Sequence, residues 1–235
     1  MSPSLIIDPT LQIRSIDELL RSRAVTHPDN PVVGFPLSDS LTVSECKIHY
    51  YTLSELNRFA YRTATIIEAT IPCTGPDEPR RAVGLLGLPN MDHFVSLLAL
   101  AKLGHTAVLM SPRLSDEAYA HLVLKTECAH VLAQPQFDET MDRVMDITGH
   151  FSTLRIPTSD MYNLAEDRAA PQPIFQKAWK DPEAERFQPS WVIHSSGSTG
   201  LPKPVYKMVC LPPNNQTYVR REQRARLTLF YVPLS

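Results

Sequence analysis

The chain has 235 residues, of which 43% are hydrophobic and 20% charged, and its formal net charge is −2. This length and composition are those of a globular protein with one large core or two small ones. The balanced charge argues against a nucleic-acid partner or an anionic membrane surface, because both attract a strongly basic protein. The four cysteines are widely spaced and form no C-x-x-C pair, so neither a disulfide framework nor a zinc site is indicated.

The N-terminus has no basic segment followed by a long apolar stretch, as a signal peptide would. No apolar run elsewhere approaches the length that is needed to span a bilayer. We therefore expect a cytoplasmic protein in a reducing compartment, without a membrane partner.

Two helices and two short strands are predicted in the first 80 residues. Ser15–Glu18 and Thr52–Glu55 both have the capping-box pattern, in which a hydroxyl and a glutamate each accept the other residue's amide hydrogen. They predict helices that begin at residues 16 and 53. Short β-prone runs predict strands at 31–35 and 48–51. Asp17 is interpreted as a helix-capping acid and not as a catalytic carboxylate.

From Ala82 onward, buried strands alternate with amphipathic helices. Strands are predicted at 82–88, 106–110, 129–133, 153–156 and 191–194, with helices after the capping residues Asn90 and Ser115 and at 137–147. A continuous apolar run such as 82–88 is typical of a strand that is covered on both faces. The repetition predicts an α/β fold, a helix-covered and mostly parallel sheet with right-handed crossovers. Residues 167–190 are rich in proline and charge and are predicted to be a surface connector.

A loop rich in glycine and hydroxyl groups follows the last predicted strand. It comprises Ser195, Ser196, Gly197, Ser198, Thr199, Gly200, Leu201, Pro202 and Lys203. The two glycines permit positive φ and close approach, so that successive backbone N–H groups can point into one concavity. The hydroxyls add hydrogen-bond donors, and the Lys203 ammonium adds a positive charge. This combination predicts a binding site for a polyphosphate.

Other interpretations of this loop fit less well. A Walker A loop needs a lysine directly after its second glycine, whereas Leu201 and Pro202 intervene here. A flexible Ser/Gly linker is common in general, but a linker seldom follows a buried apolar strand. His194, directly before the loop, is a further candidate for contact with substrate or nucleotide, and a hydrogen-bonded strand histidine explains it equally well.

No metal site or catalytic residue is predicted. The spacing of His121, Cys128 and His130 fits no common metal-binding template, so buried structural roles explain them better. The G-x-S-x-G motif of serine hydrolases is absent from the sequence.

The stretch Ser195–Lys203 resembles the AMP-binding signature of the adenylate-forming superfamily, which includes acyl-CoA synthetases, luciferases and the adenylation domains of nonribosomal peptide synthetases. Three upstream segments agree with the superfamily in order and spacing, namely Tyr51–Asn57, Val83–Leu86 with Asn90, and Leu103–Val108. With Ser111-Pro112-Arg113 and Lys203-Pro204, the sequence is most similar to fungal nonribosomal-peptide-synthetase-like and carboxylate-reductase-like enzymes.

The resemblance implies a reaction in which a small carboxylic acid attacks the α-phosphate of Mg·ATP. The products are an acyl-adenylate and pyrophosphate, and the acyl group then passes to the thiol of CoA or of a carrier domain. ATP and Mg²⁺ are thus the implied cofactors. Ser195 to Gly200 would cradle phosphate oxygens, and Lys203 would approach the pyrophosphate.

The resemblance extends from about Ile16 to Val205, which is less than half of a complete adenylate-forming enzyme. It therefore implies a partial AMP-binding domain at 1–205, an incomplete N-terminal subdomain that is inactive alone. Residues 206–235 form an atypical tail, interpreted as a solvated basic stretch or as a product of truncation or of a faulty gene model. The alternatives are a non-catalytic nucleotide- or partner-binding module and a fragment of a larger enzyme.

Overall fold

The computed structural model describes residues 13–36, 47–75, 77–149, 151–165, 174–175, 185, 187–195 and 201–208. Its elements in chain order are α1 (Ile16–Thr26), β1 (Pro31–Pro36), β2 (Ile48–Thr52), α2 (Leu53–Glu68), β3 (Ala82–Leu86), α3 (Met91–Lys102), β4 (Thr106–Met110), α4 (Asp116–Thr126), β5 (His130–Ala133), α5 (Asp138–Thr148), β6 (Ser152–Arg155), α6 (Ser159–Tyr162), β7 (Pro189–Ser195) and β8 (Lys203–Met208). All predicted helices and strands are present, with ends shifted by at most two residues. The short helix α6 and the strand β8 are additions to the prediction.

In the part of the chain that the structure describes, the main sheet has the strand order β6-β5-β3-β4-β7-β8. Strands β3 to β7 are mutually parallel, and β8 runs antiparallel beside β7. The prediction of a mostly parallel sheet is therefore confirmed. Most of the predicted connector at 167–190 and of the tail at 206–235 lies outside the described residues, so these domain boundaries stay predictions.

Helices cover both faces of this sheet. On one face, residues of β3, β4 and β5 pack against α4 and α5, in a cluster that includes Leu86, Val108, Val131, Tyr119, Leu122 and Val144. On the other face they pack against α2 and α3, in a cluster that includes Val83, Leu85, Leu132, Ala64, Ile67 and Leu100. The central strand β3 is thus buried on both sides, as its unbroken apolar sequence predicts.

Side-chain caps start the helices where the sequence places them. Thr52 and Glu55 form a complete capping box at α2. At α1, the Ser15 hydroxyl accepts the Glu18 N–H at 3.1 Å, but the Glu18 carboxylate accepts the Arg14 N–H at 2.9 Å instead of that of Ser15. The second half of the predicted box at Ser15 is therefore wrong, because the neighbouring amide of Arg14 takes its place.

Strands β1 and β2 form a separate antiparallel ribbon. One face of the ribbon packs on α2 and α3, where the Phe35 and Phe94 rings are 6.3 Å apart. The opposite face, called here the outer face of the ribbon, consists of Val32, Ile48 and Tyr50, whose exposed fractions are 45%, 52% and 61%. The described residues leave this apolar face exposed to solvent.

A buried ion pair joins the first three helices. The Lys102 ammonium at the end of α3 donates to the Asp17 carboxylate of α1 at 2.8 Å and to the Asn57 side chain of α2 at 2.7 Å. The Lys102 and Asp17 side chains are only 4% and 5% exposed, and Arg21 also donates to Asp17 at 2.8 Å. The interpretation of Asp17 as a capping acid is therefore incomplete, because its carboxylate serves chiefly to neutralise Lys102.

Replacement of Asp17 by alanine should lower the free energy of unfolding by about 3 kcal/mol, since it leaves the Lys102 ammonium buried without its counter-charge. The matched control is Asp116→Ala, which also removes a first-turn aspartate paired with an arginine, but in an exposed pair with Arg143. The control substitution should lower the free energy of unfolding by less than about 1 kcal/mol. Urea unfolding of both variants measures the difference, and equal losses would contradict the assigned role of the buried pair.

Candidate functional site

The carboxyl ends of β3, β4, β5, β6 and β7 lie along one edge of the sheet because these strands are parallel. Open α/β sheets bind their ligands outside this edge. Helices α3 and α4 begin on the same side, directly after β3 and β4, with Asn90 and Ser115 as their side-chain caps. The glycine-rich loop follows β7, so the fold brings it to this edge.

The two ends of the loop are held together in the sheet. Ser195 is the last residue of β7 and Lys203 the first of β8, and the two are register partners. The Cα atoms of such partners lie about 5 Å apart, so Ser195 and Lys203 are neighbours at the carboxyl edge of the sheet. Ser196, Gly197, Ser198, Thr199 and Gly200 lie outside the described residues. The cradling of phosphate by their N–H groups therefore stays a prediction.

Lys203 offers a cation beside the loop. Its side chain belongs to an exposed residue, and it forms no ion pair with any residue for which the structure gives a position. Pro202, directly before it, is buried and fixes the start of β8. The site thus presents an unpaired ammonium next to the Ser195 hydroxyl, a combination that attracts anionic oxygens.

His194 links the end of β7 to the end of β4. Its Nε2 atom lies 3.2 Å from the Ser111 backbone nitrogen, which can only donate. Nε2 must therefore be unprotonated, and the neutral ring carries its hydrogen on Nδ1. Burial lowers the pKa of His194 below its ordinary value, which favours this neutral form. The structure thus supports the interpretation of His194 as a hydrogen-bonded strand residue.

Ser111 is held from a second side by α4. The Tyr119 hydroxyl donates to the Ser111 carbonyl oxygen at 2.7 Å, and Tyr119 itself is 1% exposed within the hydrophobic core. Sequence reasoning missed Ser111 and Tyr119 as parts of this site. The tyrosine has the spacing of a core residue, and no local pattern indicates that its hydroxyl reaches a strand end.

Gln134, directly after β5, links the ends of β3 and β5 at the same edge of the sheet. Its side-chain oxygen accepts the Leu88 N–H at 2.8 Å, and its side-chain nitrogen lies 3.3 Å from the Leu88 carbonyl oxygen, to which it donates. A Cβ atom on Gly87 would lie 2.8 Å from the Gln134 side chain, so a larger residue there would displace that side chain.

Two absences concern the described part of the chain only. It contains no group of three His, Cys, Asp or Glu side chains that could hold a metal ion. It also contains no helix with the length and apolar character required to cross a membrane.

Comparison with known proteins identifies the family. Residues 20–207 match the model of the AMP-binding enzyme family. The chain belongs to this family. The predicted relationship to AMP-binding enzymes is therefore confirmed.

The relatives of this AMP-binding family member are much longer than the matched stretch. It is 24% identical to the carboxylic acid reductase of Neurospora crassa over 200 residues, which are 84% of the chain but 18% of that protein. Among solved structures, apo MbtA from Mycobacterium smegmatis has a TM-score of 0.59 at 23% identity, and the matched region is 83% of this chain and 33% of MbtA. A fatty acyl-adenylate ligase from L. pneumophila has a TM-score of 0.56 at 18% identity, and the matched region is 84% of this chain and 31% of the ligase. These structures confirm the fold.

The first turn of α3 provides a titration test at this edge. Burial lowers the pKa of His93 to about 4, although a backbone hydrogen bond with Leu85 opposes the shift. The unfolded chain binds a proton at a higher pH than the folded chain does, so stability falls as the pH decreases from about 6.5 to about 4. The free energy of unfolding should fall between pH 7 and pH 4.5, and this fall should be about 2 kcal/mol smaller in His93→Gln than in the wild type. Chemical unfolding at the two pH values measures the difference. His49→Gln, at an exposed position on β2, is the control and should keep the wild-type pH dependence.

Proposed function

We propose that this chain forms the phosphate-binding part of an ATP-dependent, carboxylate-activating enzyme. The observation that carries the proposal is the β7–β8 hairpin. It brings together Ser195 and Lys203, the two ends of the stretch that resembles the family's signature, at the carboxyl edge of the sheet. The solved relative from L. pneumophila, which contains acyl-adenylate and pyrophosphate, supports the same chemistry.

In this reaction, an oxygen of the acid's carboxylate attacks the α-phosphorus of ATP, and the bond to the bridging oxygen of pyrophosphate breaks. Negative charge grows on the leaving pyrophosphate during this step. Donors that already point at the β- and γ-phosphates lower the barrier because they need no reorientation. Mg²⁺, which would enter with the nucleotide, supplies further neutralisation of that charge.

The residues present fit this task. Lys203 has no competing carboxylate among its described neighbours, so its charge is available to the pyrophosphate. Ser195, Ser196, Ser198 and Thr199 supply hydroxyl donors, and Gly197 and Gly200 allow the backbone to approach phosphate oxygens closely. The acyl group would then pass to a carrier-domain or CoA thiol.

The chain alone should bind nucleotide weakly and should not complete the reaction. It spans 18% of the Neurospora crassa relative, so most of the contacts that such a protein offers are not among its residues. A ligand that is held mainly by its phosphates loses the binding free energy of the other contacts.

Replacement of Lys203 by alanine should weaken Mg·ATP binding to the 235-residue chain about tenfold, because it removes a charge-assisted contact. Lys207→Ala is the matched control, since Lys207 is also an exposed lysine of β8 but lies four residues from the loop. It should leave the affinity unchanged. Isothermal titration calorimetry with Mg·ATP and with pyrophosphate measures both variants.

Equal effects of the two lysine variants would contradict a specific role for Lys203. A second assay, ATP–pyrophosphate exchange with a panel of carboxylic acids, tests the expected lack of turnover. Robust exchange that depends on Lys203 would show that the chain is a complete catalyst and would overturn this part of the proposal.

A second candidate function is a module that pairs with the rest of an adenylate-forming enzyme. The outer face of the ribbon favours it, because Val32, Ile48 and Tyr50 present exposed apolar area on a sheet that has two strands among the described residues. Such ribbons are marginally stable without further cover, and their free edges accept additional strands. The remaining length of the Neurospora crassa relative is large enough to supply that cover.

A binding experiment with two separate polypeptides tests this pairing. The 235-residue chain should bind a Neurospora crassa carboxylic acid reductase from which the matched stretch has been deleted, as measured by light scattering after size-exclusion chromatography. Tyr50→Lys should abolish the complex, because it places a charge on the covered face. Tyr206→Lys, at a tyrosine of β8 that is 51% exposed, is the control and should not. Self-association of the chain, or equal effects of both variants, would contradict the pairing.

A further inference from the structure

We propose that His194 is a positioning residue for the phosphate loop, acting through the Ser111 amide. The proposal rests on the proposed function, because the loop that His194 positions is the predicted phosphate site. It adds a role for a residue next to the loop and a pH dependence that follows from that role.

The first argument is the place of the hydrogen bond. The backbone pairing of β4 with β7 includes Ala107 with Trp191 and Val108 with Val192. Beyond these pairs, the contact between Ser111 N and His194 Nε2 connects the two strands at their carboxyl ends. A side chain here substitutes for the backbone ladder, directly before the loop begins at Ser195.

The second argument is the rigidity of the anchor. Ser111 is fixed through its carbonyl oxygen to the buried Tyr119 hydroxyl of α4 at 2.7 Å. The chain of contacts therefore runs from the core through Tyr119 and Ser111 to His194. On its other side, β7 is tied to β8 through the Ser195–Lys203 pair. The loop thus leaves the sheet from a point that is fixed on both sides.

The third argument is the chemistry of the acceptor. A backbone N–H can only donate, so the bond exists only while Nε2 carries no proton. Protonation of His194 would place two N–H donors opposite each other and break the link. The elements beside His194 carry several charged or titratable side chains, namely Arg113 after β4, Asp116, Glu117, Tyr119, His121 and Lys125 on α4, and Lys203, Tyr206 and Lys207 on β8. Burial lowers the pKa of His194, so the intact link is the form present at neutral pH.

The experiment compares four chains between pH 7.5 and pH 5, namely wild type, His194→Gln, His194→Phe and the control His130→Gln. Glutamine keeps an oxygen acceptor that does not titrate, and phenylalanine has none. His130 lies in the same sheet but at the start of β5, where its Nδ1 is 2.7 Å from the Ser152 hydroxyl oxygen. Amide hydrogen exchange of residues 195–203 reports on the position of the loop without any ligand, and calorimetry measures Mg·ATP affinity.

In the wild type and in His130→Gln, the protection of the loop amides, relative to the intrinsic exchange rate at each pH, should decrease as His194 is protonated. Mg·ATP affinity should fall about fivefold, the size expected for one hydrogen bond. His194→Gln should lose this pH dependence and keep the neutral-pH affinity. His194→Phe should be weak at every pH. Protonation of the nucleotide is shared by all four chains, so it cancels in the ratio to wild type.

A His194→Gln chain that keeps the wild-type pH dependence would overturn the proposal, as would loop exchange that does not follow the protonation of His194. If the wild type binds no Mg·ATP at any pH, the proposed function fails, and the exchange measurement alone decides the role of His194. Global acid unfolding is recognised by circular dichroism and by a loss of amide protection in β3, which the proposal does not predict.

Discussion

The burial of β3 on both faces is the constraint on which the rest of the structure depends. Val83, Leu85 and Leu86 are fully buried, and none can be covered by the sheet itself. Parallel strands need crossover connections, and here helices cover both faces. Once α2 and α3 lie on one face and α4 and α5 on the other, the carboxyl ends of five strands meet at one edge. That edge is where the signature loop emerges.

Hydrogen bonds and ion pairs between elements fix relative orientations that hydrophobic packing does not determine. Packing does not distinguish small rotations of one helix against another, but the Lys102–Asp17 pair ties α3 to α1 at a definite point. In the same way, the bonds through Ser111 set where β4 and β7 separate at the site. Such buried groups are costly when unpaired, so their partners are held in place. The chain belongs to the AMP-binding enzyme family, and the stretch Ser195–Lys203, which resembles the family's signature, begins at the end of β7.

Features that depend on neighbours in sequence were predictable. Asn90, Ser115 and Thr52 cap their helices because each side chain accepts an amide hydrogen three residues away. Gly104 ends α3 with φ of 75°, which a glycine adopts without strain. The prediction was less complete where a neighbour competed. At α1 the carboxylate of Glu18 accepts the amide hydrogen of Arg14, because that group is equally within reach.

The sequence by itself determined the element types, the α/β class and the likeness of Ser195–Lys203 to the AMP-binding signature, because periodicity, caps and glycine content act over a few residues. Only the tertiary structure decided that β5 lies next to β3, that β8 turns back against β7, and that His194 meets Ser111. These contacts join residues far apart in the chain. They depend on how all the layers pack together, and no local pattern of residues carries that information.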